Sequence, residues 1–397
     1  MVIRLLLRLT FVCLIVAATA SVAFSQTLAR CGQGWLEQID GALVLHLKGT
    51  PYEMGYQHGA LLREHVRGNM HTLLEVKANE HTLVEIGPIK VKPRAAVEMI
   101  LKIEEPYIAA RYVEEMQGLA AGADIAFADV RVGNFIPEMF HCSGFAIANT
   151  ATKDGEIYHG RVLDYAVDWG LQDHAVVIVA EPNGRVPWVN ISYAGFIGSV
   201  TGMNVEHISI GEMGGDGLGH WEGRPMALIV REALETAKSL EDAIAVFRDG
   251  PRTCQYFYVI ADGETKKSVG MEASWDVFQL IEPGQKHDLL PNPVPDCVLL
   301  SAGDRYNELS KRARAGHGEF TAADALALMS RPVAMKSNLH NVLFAPRSTD
   351  FWVAHASSDK TPAAERPYQK FRLRELLDRR PNMTSPEIPL APRTAAK

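Results

Sequence analysis

Apolar positions between Thr50 and about Ala121 recur at helical spacing, as in Tyr107, Ala110, Tyr112 with Val113, and Met116, punctuated by Gly87-Pro88 and Pro93. Thr50-Pro51-Tyr52-Glu53 announces the first helix: a capping hydroxyl, a proline at the first helical position and a reciprocal glutamate. From Cys142 onward the period changes to strands and turns. Cys142 to Thr150 and Ile157 to Tyr165 flank Lys153-Asp154-Gly155, a strong hairpin signal. Strands are expected at Ala175 to Ala180, Pro187 to Tyr193 and Val205 to Gly211, the last after a turn at Gly202-Met203-Asn204. Helices follow at Pro225 to Thr236 and Leu240 to Phe247, then a hairpin of Tyr256 to Ala261 with Ser268 to Ala273. Helices near Tyr306 and over Ala322 to Met329 precede a last strand pair, His340 to Ala345 and Phe351 to His355. Strand runs interleaved with paired helices predict an α+β layered body with helices on sheet. The expected organisation is a helical N-terminal segment over 26–141, a strand-rich body over 142–380 and a loose tail over 381–397, rich in proline and polar residues.

The first 25 residues change the charge and the compartment. Arg4 and Arg8 flank an apolar run from Leu9 to Phe24 that ends in Ala23-Phe24-Ser25, the pattern of a secretory signal. About 16 apolar residues fall short of the roughly 20 that a spanning helix needs, so no stable membrane insertion is expected. Export to the periplasm or outside the cell removes two arginines and no acid, moving the formal charge from −7 to −9. An acidic chain has no global field to hold nucleic acid. At 47% apolar and 22% charged residues, the 397-residue chain has the composition of a packed globular protein.

Several chemistries are excluded by inspection: there is no G-x-S-x-G elbow, no H-E-x-x-H, no Walker loop and no paired C-x-x-C. Gly214-Gly215-Asp216-Gly217-Leu218-Gly219 misses the spacing of a phosphate cradle and reads as a flexible loop. No cofactor or metal is expected. Cys13 leaves with the signal, and Cys31, Cys254 and Cys297 have spacings that permit disulfides without choosing a pairing. Cys142 stands apart, because it begins the best hairpin signal and is followed by the small Ser143 and Gly144, with Arg161 and Asp164 on the return strand. A two-residue turn at Asp154-Gly155 would set Cys142 against Val167, whereas a longer loop centred on Lys153 would set Asp164 opposite it. Arg161 and Asp164 also read as an ordinary ion pair at a strand terminus.

Cys142-Ser143-Gly144-Phe145, Asp154-Gly155 and His159-Gly160-Arg161-Val162-Leu163-Asp164-Tyr165 together resemble the nucleophile hairpin of cysteine N-terminal-nucleophile (Ntn) hydrolases. The chain is most similar to the peptidase C45 family of penicillin acyltransferase-like enzymes, and more distantly to acid ceramidase, N-acylethanolamine amidase and bile-salt hydrolase. Gly49 to Gly59, Glu115-Met116-Gln117-Gly118 and Asn338 to Phe344 extend the resemblance over nearly the whole mature chain. The resemblance implies a four-layer αββα sandwich and self-cleavage between His141 and Cys142, after which the two fragments stay associated. It implies Cys142 as nucleophile, with Arg161 and Asp164 positioning the site, and a small acyl amide as substrate. A thiol needs a base, and the new α-amino group of the same residue, with an ordinary pKa near ~8, supplies one. Relatives place an oxyanion-binding asparagine where this chain has Ala302, leaving Asn204, Gly214, Gly215 and Asn338 as candidate donors or supporting groups. Trp169, Phe196 and Trp221 are candidates for the pocket rim or for ordinary core aromatics. An esterase or phospholipase B-like hydrolase, or a silent binding protein of the same fold, are the alternatives.

Overall fold

The computed structural model describes residues 25–77, 84–86, 89–135, 142–215 and 219–393. Three strands come first, β1 (Ser25–Cys31), β2 (Gly34–Ile39) and β3 (Ala42–Gly49), followed by helices α1 (Pro51–Leu61) and α2 (Arg63–His71). A short hairpin, β4 (Val84–Ile86) and β5 (Ile89–Val91), leads to α3 (Pro93–Glu104), α4 (Ala110–Ala123) and α5 (Phe127–Asn134). The next strands are β6 (Ser143–Ile147), β7 (Tyr158–Asp164), β8 (Ala175–Pro182), β9 (Trp188–Tyr193), β10 (Thr201–Asn204) and β11 (Ile208–Gly214). Helices α6 (Met226–Thr236) and α7 (Leu240–Arg248) precede β12 (Gln255–Asp262), β13 (Lys267–Ser274), β14 (Phe278–Ile281) and β15 (Cys297–Leu300). The chain closes with α8 (Gly303–Ala315), α9 (Ala322–Leu328), β16 (Asn338–Ala345), β17 (Asp350–His355), β18 (Gln369–Arg372), α10 (Leu373–Asp378) and β19 (Glu387–Ile388).

Among the described residues the strands form an eleven-stranded sheet, β14-β13-β12-β11-β10-β9-β8-β3-β2-β1-β19, and a six-stranded sheet, β15-β6-β7-β16-β17-β18. The sheets pack face to face. Phe145, Ile210, Tyr258 and Val259 belong to one apolar cluster, and Val177, Val189, Val342, Phe344 and Phe351 to a second. Helices α6 and α7 lie on the outer face of the large sheet, with α1 against its β1–β3 edge, while α8 and α9 lie on the small sheet. Each layer thereby buries the apolar face that its periodicity creates. No helix among the described residues is long and apolar enough to cross a membrane.

Helix α1 begins as its sequence predicts: Thr50 and Glu53 exchange both bonds of a capping box, a feature worth ~1 kcal/mol. It crosses α4 at backbone contact. A Cβ on Gly55 would collide with the Glu115 carbonyl oxygen, and one on Gly118 with that of Tyr52. The glycines of the two separated sequence motifs are therefore two halves of one helix crossing.

Three expectations are corrected. Residues 25–49 are not helical: β3 pairs in parallel with β8 from Val44↔Val177 to Gly49↔Pro182, so the N-terminal piece completes the large sheet. The alternation of Leu43, Leu45 and Leu47 was a readable strand signal that the longer helical run overshadowed. Residues 381–393 of the tail are not loose either: β19 adds to β1, the Asn382 N–H donates to Thr27 Oγ1 at 3.0 Å, and Glu387 pairs with Arg30 at 3.0 Å, contacts invisible to composition. Gly202-Met203-Asn204 lies within β10, and the turn follows at 205–207.

Candidate active site

Strands β6 and β7 pair with Ser143 opposite Val162 and Gly144 opposite Arg161, which sets Cys142 level with Leu163. Neither expected register holds, although the longer loop comes within one residue. The connection spans 148–157 and includes a 3-10 turn at Asn149–Ala151. Alternation then separates the two candidate partners of the cysteine: Arg161 lies on the face of β6 and β7 that carries Cys142, and Asp164 points to the opposite face.

Cys142 is 3% exposed and immediately precedes β6. Its face turns toward the large sheet, where Arg161 is fully buried with Nη2 3.4 Å from Glu212 Oε2 of β11. Gly211 makes room for this, since a Cβ there would stand 2.7 Å from Arg161 Cγ. Burial of the guanidinium and the carboxylate together offsets a desolvation cost that either alone would incur in full.

On the other face Asp164 Oδ1 accepts the Met335 N–H at 2.9 Å, and Oδ2 lies 3.2 Å from Arg305 Nη2. The same nitrogen donates to the Cys142 carbonyl oxygen at 2.9 Å and to Ser143 Oγ, which is 2.7 Å from Ser301 Oγ. Burial pushes the Asp164 carboxyl up to about 6, against the pull of Arg305, the Met335 N–H, Arg161 and Asn338. Arg305 thus ties the cysteine's own backbone to the aspartate. Sequence reasoning missed it, as it missed Glu212; the only signal for Arg305 was an arginine three residues after the anomalous Ala302.

A cavity of about 230 Å³ opens at Cys142, lined among others by Met213, Gly214, Gly215, Gln255 and Ser301. Ala302 and Gly303 also line it, at the start of α8, where Ala302 is the N-cap and supplies no side-chain bond. The first N–H groups of any helix have no partner within it, so this uncapped turn brings backbone donors to the cavity wall. Gly215 N–H is committed to Gln255 O at 3.1 Å; alternation turns that of Gly214 away from β12.

The two asparagines are not oxyanion donors. Asn204 spends its Nδ2 on Leu234 O and Ala237 O and its Oδ1 on the N–H groups of Glu206 and Ile208, closing the β10–β11 turn. Asn338 donates to Leu163 O, His340 O and Asn341 Oδ1 and accepts from the Ala364 N–H, which places it behind Asp164 as a structural support. His141 and residues 216–218 lie outside the described residues. Cys31, Cys254 and Cys297 are separate buried thiols, with no disulfide among the described residues. Trp169 packs edge-on against Tyr165, and neither it nor Trp221 lines the Cys142 cavity.

Two facing sheets between helical layers, with a cysteine at the head of an inner strand of the smaller sheet, form the arrangement of an Ntn hydrolase. Residues 150–279 match the family model described as acyl-coenzyme A:6-aminopenicillanic acid acyl-transferase. An uncharacterized protein of Archaeoglobus fulgidus is 26% identical over 312 residues, 69% of this chain and 51% of that protein. The N-acylethanolamine-hydrolyzing acid amidase of Mus musculus is 22% identical over 182 residues, 43% of this chain and 49% of the relative. The chain spans about half the length of these curated relatives. Among solved structures, the Caenorhabditis elegans N-acylethanolamine-hydrolyzing acid amidase ortholog aligns with a TM-score of 0.44 and 16% identity, covering 58% of this chain and 99% of that one.

Proposed function

We propose that this is an exported enzyme that cuts itself between His141 and Cys142 and then cleaves or transfers the acyl group of small non-peptide amides through a thioester on Cys142. The observation that carries the proposal is the position of Arg305, which donates to the Cys142 carbonyl oxygen and Ser143 Oγ while pairing at 3.2 Å with Asp164 Oδ2. A residue whose backbone is gripped in this way keeps its place when the peptide bond before it is lost.

In the self-cleavage step Cys142 Sγ attacks the carbonyl carbon of His141. The C–N bond breaks, the freed α-amino group takes up the thiol proton, and water hydrolyses the thioester to a carboxylate on His141 and a regenerated thiol. The α-amine then serves as base for the same sulfur when a substrate amide arrives. The proton it takes from the thiol passes to the leaving amine, and water or an acceptor amine takes the acyl group from sulfur. Asp164, ionised above about pH 6, supplies a carboxylate one step beyond the level of Cys142 to orient the ammonium form. Arg161, its charge matched by Glu212, orients the nucleophile face rather than adding net charge. Gly214 and the uncapped first turn of α8 offer the N–H donors for the oxyanion.

Denaturing electrophoresis of the purified protein tests the reading. Two fragments of about 13 and 28 kDa are expected by length scaling, the larger beginning at Cys142, and Cys142→Ala should remain a single inactive chain. A wild-type chain that stays intact and turns over no acyl amide overturns it. Relative turnover of an acyl amide and its ester separates the amidase from an esterase.

A further inference from the structure

The second cavity near the site holds about 130 Å³ and is mostly apolar, lined among others by Leu73, Asn134, Leu163, Tyr165, Phe196 and Met226. Its wall residue Leu163 is the β7 residue level with Cys142. Its walls come from both sides of the proposed cut: Leu73 and Asn134 precede residue 141, and the others follow it.

One wall is the short segment Ala194–Ile197, whose Ala194 and Phe196 N–H groups donate to the His174 and Tyr193 carbonyls while side chains hold five of its other backbone groups. Asn69 donates to Ala194 O at 2.8 Å, and the Gly195 N–H donates to His58 Nε2 at 2.9 Å. Asn134 donates to Gly195 O at 2.9 Å and accepts the Ile197 N–H at 2.8 Å. Ile197 O takes a bond of 2.8 Å from Arg231, which is locked by a bidentate pair with Glu115 of α4 at 2.9 and 2.6 Å. Burial, reinforced by the charge of Arg231, lowers His58 to about 3, so its ring stays neutral and keeps the acceptor that Gly195 needs. Each of these backbone groups, left unpaired, would cost about 1–3 kcal/mol. Such a clamp is far more than a surface loop needs.

We infer that the segment upstream of the cut is a lasting wall of the acyl pocket. His58, Asn69 and Asn134 are positioning residues that set Phe196 through the Ala194–Ile197 backbone and limit the acyl group to about one six-membered ring. This rests on the amide-acyl reading above. An apolar cavity of about 150 Å³ is known to accept benzene, which sets the scale.

The mature two-fragment enzyme, given anilides with acyl groups from acetyl through a single-ring acyl to a twelve-carbon chain, tests the inference. Wild type should favour the ring-sized acyl over the twelve-carbon chain at least tenfold in kcat/KM. Asn134→Ala and Phe196→Ala should each raise KM for the ring-sized acyl about tenfold, with the loss on KM rather than kcat, and should narrow the discrimination against the long chain. Self-cleavage, read from the mass of the large fragment, should still go to completion. Unchanged acyl preference in both cleaved variants, or equal use of long and ring-sized acyl groups by wild type, overturns the inference while leaving the thioester reading intact. If Asn134→Ala does not fold, Phe196→Ala, which leaves the clamp in place, decides alone. A wild type that neither cleaves nor turns over any amide ends both.

Discussion

Arg305, in the first turn of α8, lies 3.2 Å from Asp164 at the end of β7, and through the same nitrogen it holds the Cys142 carbonyl oxygen. Two elements remote in sequence thereby meet at one guanidinium, and the head of β6 is fixed between them.

Arg305→Ala should leave the Asp164 carboxyl buried without its cation. Loss of one partner of a buried pair costs on the order of 3 kcal/mol. Self-cleavage and amide turnover should both fall by about a hundredfold, and Arg305→Lys, which keeps the charge and a nitrogen with several donors, should recover part of both. Timed electrophoresis and initial rates measure the two effects separately.

The pH dependence follows from Asp164. Its folded pKa, about 6, is above the ordinary 3.8, so the folded protein holds this proton more tightly than the unfolded chain. The associated stability is fully present below about pH 4 and is lost as pH rises through 6, a swing of about 3 kcal/mol. Denaturant titrations should show this decline in wild type and lack it in Asp164→Asn. Over the same interval kcat/KM should rise with an inflection near 6, because the carboxylate becomes available to the α-ammonium; a flat profile between pH 5 and 7 would count against that role.

Glu37 behaves oppositely. Burial would raise its carboxyl, but hydrogen bonds from His46, Arg379 and Ser25 outweigh it and hold it near about 2, below the ordinary 4.5. Its contribution is present above pH 4.5 and fades as pH falls toward 2. Arg379→Ala should lower Tm by several degrees at neutral pH. It should also raise the protease sensitivity of the C-terminal stretch that carries β19, and thermal scans with limited proteolysis check both.

Glu115 and Arg231 join α4 to α6 across the proposed cut, both almost fully buried. Glu115→Ala should cost about 3–5 kcal/mol. In cleaved protein it should let the fragments separate at a urea concentration where wild type stays paired, which size-exclusion chromatography reads directly.

Much of the site was legible because its signals are local. The hairpin β6–β7 and the capping box of α1 rest on residues close in sequence, where spacing and turn chemistry apply directly, whereas Arg161 and Asp164 were singled out through the resemblance of their motif. Asn204 and Asn338 misled because an asparagine's chemistry is readable from its name while its partners are not; both are spent on backbone groups. The tail misled for the same reason, since Asn382 meets Thr27 only after β1 and β19 align.

The chain's order of residues by itself determined the periodicities, the acidic charge, the candidate nucleophile and the hairpin that carries it. Tertiary structure decided which faces those side chains occupy, that Arg305 and Glu212 join them, and that the upstream segment grips the wall of the apolar cavity. The reason is physical. Periodicity and capping act over a few residues, whereas the burial of a charge or a backbone amide is settled by whatever element packs against it, and nothing in the spacing of Asp164 names Arg305 as that partner.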